Sequence, residues 1–474
     1  MERIDLLLIN PPFHIRSGGG SLFPLGLGYI ISAVKKYGYS YKVIDCSEYI
    51  TSYYPDDLQA LGEQLRKELK KYIPLAIGIG PCITTQIKAL KIIADNCKEV
   101  FNSNAIFAGG PLASIDGQEW VFFEYLGIEN IIKGDGELAV IEALSFVKQG
   151  KELSHCSKIT TRSRTIFNEI KNIDLIAFPT RRFLKNEKIS IRRTIKTALN
   201  KTASMITSRG CMYNCRYCVS GNIAYIKKFR KRSYKSIIEE MIRLKEEHDI
   251  ADIIFYDDCF FYNPKNANKD VSAFSTLLRK RNLYMTWQME IRPDLLMELN
   301  QTSLLLLEKY GCRQINIGIE KTSNEGLKYL GKSISLHGLS QKITHIKELT
   351  HIQVAGTFIL GGADETENNI LQIIDDSTKM NLDFAHYNPL FVYPGTPIYN
   401  TVFADKKEWV THILDDSLPW GEIVYENEHV NKEKLVELVN YAYRKFYSSS
   451  QYSDSQMVVD RFNLKRGERC DENL

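Results

Sequence analysis

The densest chemistry in this chain lies in SRGCMYNCRYCVSG, residues 208–221, where Cys211, Cys215 and Cys218 follow a C-x3-C-x2-C spacing. Iron–sulfur clusters are held by Cys thiolates, usually four for a cubane. Zinc takes four ligands in a structural site, or three with an open position in a catalytic one. Cys215 and Cys218 alone could form a C-x2-C redox pair, and the bland reading is three buried thiols. No fourth cysteine is near in sequence; the closest is Cys259, after the next strand. Any metal reading must therefore explain three ligands rather than four.

The whole chain bounds the answer. It has 474 residues, 44% apolar and 25% charged, the make-up of a globular protein of two or three domains. Lys and Arg (61) exceed Asp and Glu (57) by four, too mild a surplus to argue for nucleic acid. Basic stretches at 180–182, 192–193 and 227–232 read as solvated faces. The run MERIDLLLINPP ends in two prolines with no small-residue cleavage site. No apolar run reaches the roughly 18 residues of a membrane span. The expectation is a cytoplasmic protein with no membrane partner. Its ten cysteines are then free thiols, ligands or catalytic groups rather than disulfides.

The elements that must position the cysteines alternate between strand and helix, which makes an α/β protein with parallel sheets. Residues 1–150 read as a doubly wound, Rossmann-like sheet, and 151–200 as a basic connector of weak periodicity. Residues 201–400 read as a complete or partial β/α barrel of about six units, and 401–474 as a helical segment. In such folds ligands sit beyond the carboxyl ends of the strands. The triad follows the first barrel strand. Pro11 and Pro12, Gly80, Gly109 and Gly110, and Gly134 and Glu137 fall at the ends of N-terminal strands, where glycine admits a ligand close to the backbone. A helix over 236–248 is expected to open on a Ser236–Glu239 capping box. Leu435, Leu438, Val439 and Tyr443 share one face of a later helix and read as core.

The stretch TSRGCMYNCRYCVSG resembles the radical S-adenosylmethionine (SAM) superfamily, with signature C-x3-C-x-aromatic-C and Tyr217 in the aromatic place. The resemblance implies that the three cysteines hold a [4Fe–4S] cluster whose fourth iron is left for SAM, which answers why there are three. FYDDCFF resembles the family's acidic pair, Asp257 and Asp258, one of them for the SAM ammonium. WQMEIRPDLL resembles the third strand, with Arg292 free to meet a carboxylate, and GIEKTSNEGLKYLGK the fourth, with Glu320 for the SAM amine or ribose. GTFILGGADET, with Gly361, resembles the fifth strand and its turn, although Ala363 and Asp364 replace the usual Pro and Gly. VYPGTPIY resembles the last-strand motif. His386, on the sixth strand, and Cys259, behind the acidic pair, are the candidates for meeting substrate.

Upstream, INPP, PLGLGYIISAVKKYGY, VIDC, GGP and GDGE resemble the N-terminal domain of the cobalamin-binding subclass, as YAYRKFY does near the other end. This implies cobalamin between the domains, methyl transfer to an unactivated centre of a small metabolite or natural product, and an electron donor such as flavodoxin or ferredoxin. Pro11, Pro12, Gly80, Gly109, Gly110, Gly134 and Glu137 would line the cobalamin domain. The chain departs from the subclass in lacking D-x-H-x-x-G. His14 is the only histidine after the first strand, without the Asp two residues before it. The stretch 17–20, SGGG, would cradle the corrin tail or a phosphate, or form a surface loop. Alternatives are a rearrangement or cyclisation enzyme without cobalamin, a tRNA methylthiotransferase, whose second Cys set and RNA-binding barrel are missing here, and a non-catalytic iron–sulfur protein.

Overall fold

The computed structural model describes residues 1–12, 23–49, 55–101, 105–182, 201–222, 229–362, 365–403, 405, 407–415 and 424–448. His14, the glycines at 18–20, and Ala363 and Asp364 lie outside them.

Glu2–Asn10 (β1), Tyr41–Asp45 (β2), Tyr72–Ile79 (β3), Ile106–Gly109 (β4), Asn130–Gly134 (β5) and Phe167–Asn168 (β6) form one parallel sheet, ordered β2-β1-β3-β4-β5-β6. The run LLLI in β1 is buried on both faces. Leu6 and Leu8 enter one core and Leu7 and Ile9 another, because helices cover both sides of a parallel sheet. The helix Leu25–Lys36 ends, as its sequence predicts, before Gly38, whose φ of +74° suits glycine. The two-residue strand β6 falls inside the stretch expected to be a connector. It is too short to leave a periodic signal.

The chain then forms Thr202–Met205 (β7) and a short antiparallel ladder of Ser208–Arg209 (β8) and Arg230–Lys231 (β9). Asp252–Phe255 (β10), Thr286–Ile291 (β11), Cys312–Glu320 (β12), Gln353–Leu360 (β13) and Phe384–Pro389 (β14) follow. The second sheet runs β7-β10-β11-β12-β13-β14, all parallel, and β7 does not pair with β14. It is a partial barrel, curled and open. Its convex face is apolar: Met205, Phe255, Trp287, Met289, Ile315, Ile317 and Phe358 pack under the helices. Alternation along the strands sends Gln288, Asn316, Thr357 and His386 to the concave face, where Thr357 and His386 stand in register.

The helix expected over 236–248 starts earlier, at Tyr234. Its cap is Ser233, whose hydroxyl accepts from the Ser236 amide at 3.2 Å. Ser236 cannot be the cap because it is buried and its hydroxyl is taken by the Arg232 guanidinium. The helix Lys432–Tyr447 buries Leu435, Leu438, Val439 and Tyr443, as expected of core residues. It also closes the open edge at β14. Tyr447 Oη accepts from the Ala385 amide (3.2 Å) and donates to the Ala385 carbonyl (3.0 Å), and Tyr443 Oη accepts from the Tyr387 amide (3.1 Å). Two phenols thus satisfy backbone groups that another strand would otherwise pair.

The two sheets share a core. Ile359, Leu390, Val392 and Ile398 from the second half pack with Ile79, Leu112 and Ile115 of the first, and Trp409 Nε1 donates to Gln118 at 2.7 Å.

Candidate active site

Cys211, Cys215 and Cys218 lie on the loop leaving β8, at the carboxyl edge of the curled sheet. Gly210 before them has φ +85°, a turn that suits glycine. Asn222 Nδ2 donates to the carbonyls of Cys215 and Cys218, each at 2.7 Å. Arg216 is tied to residues 329–330 by its own amide (2.8 Å to the Leu330 carbonyl) and its guanidinium (3.0 Å to the Tyr329 carbonyl). Cys215 is buried and the other two thiols are partly exposed. Burial raises all three thiols above their ordinary pKa, Cys218 to about 11. A metal that takes the thiolate form would offset that cost. Among the described residues no three His, Cys, Asp or Glu side chains converge where one metal ion could sit.

The residues matched by resemblance take distinct positions around the loop. Asp257 is buried and fully engaged: it accepts from the Thr207 amide (2.9 Å), Thr207 Oγ1 (3.0 Å) and Ser208 Oγ (2.5 Å). It holds the approach to the cysteines. Asp258 is accessible to water, yet protein surrounds its carboxylate enough for desolvation to raise its pKa, with the Ser220 hydroxyl opposing. Its charge is felt by Cys211 and Cys218. Of the acidic pair, Asp258 faces the cysteines and remains open to a ligand.

Arg292 spends its fork on Asp294, Nε to Oδ1 at 3.0 Å and Nη2 to Oδ2 at 3.2 Å. It lies over the Tyr213 ring (3.7 Å) and hydrogen-bonds Cys215. The bidentate carboxylate expected from a ligand is therefore supplied from within. Glu320 ends β12 with φ +68° after a register shift, a strained conformation for a non-glycine residue. Its Oε1 accepts from Tyr217 Oη (3.0 Å) and Lys332 Nζ (2.9 Å). Gly361 (φ +85°) gives its carbonyl to Lys321 Nζ at 2.8 Å, and Lys321 also pairs with Glu365 at 2.7 Å. The sequence signal for these two lysines is faint: Lys321 directly follows Glu320, and Lys332 comes twelve residues after it, past the helix Asn324–Tyr329.

Cys259 is buried among the aromatic core in a run with Phe260 and Phe261, its thiol donates to the Phe261 carbonyl at 2.8 Å, and burial pushes it up to about 12. Cys211 and Arg292 lie near enough for their charges to act on it. His386 is half-buried on the concave face.

In the N-terminal sheet, Pro11 and Pro12 are buried and their carbonyls accept from Gln86 Nε2 (3.5 and 3.2 Å). Gly80 and Gly110 are needed for protein packing. A Cβ on Gly80 would meet the Gly109 carbonyl at 2.7 Å, and one on Gly110 would strike the Cys82 backbone. Gly134 has φ +83°. Glu137 is buried and paired with Arg209 Nη2, while Asp135 accepts from Arg209 Nη1 (2.6 Å) and Arg230 Nη1 (2.5 Å). The carboxyl edge of the first sheet thus meets the residue that precedes Gly210 and Cys211.

A parallel α/β fold with a cysteine triad at the carboxyl edge of a partial barrel defines a class of cluster-bearing enzymes. Residues 205–377, which hold the three cysteines, match the model described as the Radical SAM superfamily. It is 26% identical to an uncharacterised methyltransferase of Pyrococcus horikoshii over 94% of this chain and 93% of that one. It is 23% identical to the cytidylyl-2-hydroxyethylphosphonate methyltransferase of Streptomyces wedmorensis (72% and 69%) and 22% identical to the anaerobic magnesium-protoporphyrin IX monomethyl ester cyclase of Rubrivivax gelatinosus (97% and 80%). The fold is similar to that of the radical SAM methyltransferase TsrM from Kitasatospora setae, solved with cobalamin and a [4Fe–4S] cluster, with a TM-score of 0.62 at 18% identity over 84% of this chain and 77% of that one. It also resembles the cobalamin-dependent radical enzyme OxsB (TM-score 0.65, 16% identity, 94% and 67%). No helix among the described residues is long and apolar enough to cross a membrane.

Proposed function

We propose that the chain is a cobalamin-dependent radical SAM methyltransferase acting on an unactivated centre of a small molecule. The observation that carries this is the meeting of two ligand edges: Arg209, two residues before Cys211, is bonded to Asp135 and Glu137 at the carboxyl end of β5. A ligand on the first sheet would then face the cluster loop and the concave side of the second.

The donor set fits a cubane. Cys211, Cys215 and Cys218 stand along a loop, as ligands to separate irons do, whereas ligands to one zinc converge. A bound cluster, given one electron by a donor such as flavodoxin or ferredoxin, supplies the cleavage of SAM to methionine and a 5′-deoxyadenosyl radical. Around it Asp258 and Glu320 offer carboxylates to cationic and hydroxyl groups of SAM. Arg292 bonds Cys215, and Tyr217 holds Glu320. His386 and Thr357 line the concave face for substrate.

The fit to cobalamin is through shape and backbone. The edge formed by Pro11, Gly80, Gly109 and Gly134 carries no imidazole among the described residues. His155 comes after the helix Glu137–Lys148, which leads the chain back towards the other edge. A corrin bound here would supply a cobalt-centred carrier for the methyl group. The cyclase among the relatives is the reason to keep a second reading, a radical rearrangement or cyclisation in the same site.

Anaerobic reconstitution tests the reading. Expected are a cluster lost on replacing Cys211, Cys215 or Cys218 by Ala, tight stoichiometric corrinoid, and 5′-deoxyadenosine and S-adenosylhomocysteine from SAM and reductant. A protein that takes up no corrinoid in any preparation would overturn the cobalamin part. One that makes no 5′-deoxyadenosine would overturn the whole.

A further inference from the structure

We infer that Asp135 and Glu137 of the N-terminal sheet are positioning residues for Cys211, acting through Arg209, so that the edge of one sheet sets the geometry of the cluster loop on the other. This rests on the radical SAM reading. Arg209 is separated from Cys211 only by Gly210. Among the described residues, the charged and aromatic partners of its guanidinium come from the N-terminal sheet or its helices: Asp135 at 2.6 Å, Glu137, and the Tyr29 ring at 5.4 Å. The second oxygen of Asp135 takes Arg230 Nη1 at 2.5 Å, so one carboxylate spans both strands of the β8–β9 ladder. The Asp135 and Glu137 side chains are 3% and 7% exposed. Carboxylates so buried have no water to replace a lost arginine.

The other cysteines are held differently. Asn222 and Arg216 tie Cys215 and Cys218 to their own half of the chain. Ser208, before Arg209, is held by Asp257. Arg209 is therefore where the loop changes hands. Asp135 is itself rigid: its amide bonds the Asn168 carbonyl (2.8 Å) and its Oδ2 accepts from the Ile170 amide (2.6 Å). A shift at Gly134–Glu137, where a ligand of the first sheet would press, moves Arg209 and with it the first cysteine.

The test compares Glu137→Gln, Arg209→Lys and a control, Glu129→Gln, whose partner Arg162 is on the surface. Lysine keeps the charge of Arg209 but cannot fork to two carboxylates. Expected for the first two are wild-type iron and sulfide content, an altered electron paramagnetic resonance signal of the reduced cluster with SAM, and a kcat for 5′-deoxyadenosine lower by about tenfold to a hundredfold with an unchanged KM for SAM. The control should match wild type. If both variants keep the wild-type signal and kcat, or if only KM moves, the positioning role is overturned. Should Glu137→Gln be insoluble, Arg209→Lys decides on the same readouts. Failure of the wild type itself to cleave SAM would instead sink the underlying reading.

Discussion

The hydroxyl of Tyr217, inside the cysteine loop, donates to Oε1 of Glu320 at the end of β12 across 3.0 Å. Lys332 reaches the same oxygen at 2.9 Å. Oε2 has no hydrogen bond among the described residues, so the carboxylate is fixed by one oxygen and can offer the other. Tyr217→Phe keeps the ring and removes the bond. It should cost about 1 kcal/mol of stability and raise the KM for SAM with little change in kcat, measured on the reconstituted enzyme.

Lys332 and Glu320 form a buried pair, with side chains 5% and 8% exposed. Lys332→Met strands a carboxylate and should cost about 3–5 kcal/mol. Adding Glu320→Gln should recover much of that. A denaturant double-mutant cycle measures it, and strict additivity would refute the pairing.

The two aspartates should separate cleanly. Asp257→Asn breaks a buried network with Thr207 and Ser208 and should lower the unfolding midpoint. Asp258→Asn should leave the midpoint close to wild type and weaken SAM binding, read by equilibrium dialysis of the reconstituted protein.

Tyr447→Phe leaves the Ala385 amide and carbonyl at the open sheet edge without their phenol. The expected cost is about 1–3 kcal/mol. Hydrogen exchange should speed up at Ala385 while Val354, inside the sheet, stays protected.

Burial pushes the Cys82 and Cys259 thiols up to about 12, from 9.0 for an ordinary thiol. The folded chain keeps these protons where the unfolded chain loses them. Their contribution to stability is complete below pH 9 and falls as pH rises towards 12, by up to about 1.4 kcal/mol per pH unit for each thiol. Urea midpoints of the metal-free chain should be flat just below pH 9 and decline above it. Neither thiol should react with iodoacetamide at neutral pH until the chain unfolds.

Much of this protein is written in local order. The spacing of Cys211, Cys215 and Cys218 on one loop, Tyr217 among them, and the doubly buried run of β1 are short-range facts. A cluster loop is a contiguous segment, and a parallel strand buried on both faces must be apolar throughout, so both are visible along the chain. The sequence places the helix cap three residues late because serine, a favoured cap type, stands at both 233 and 236. Only the burial of Ser236 against Arg232 tells them apart.

The sequence by itself determined the class of chemistry, the strand ends where it sits, and the residue types available there. Tertiary structure decided their assignments: that Asp257 is spent and Asp258 open, that Cys259 turns to the core while His386 turns inward, and that Glu137 serves Arg209. These depend on which face of a strand a side chain takes and on partners 50 to 72 residues away. A hydrogen bond or ion pair between segments so distant leaves no period or spacing in the chain, because its geometry exists only once both sheets have closed around it.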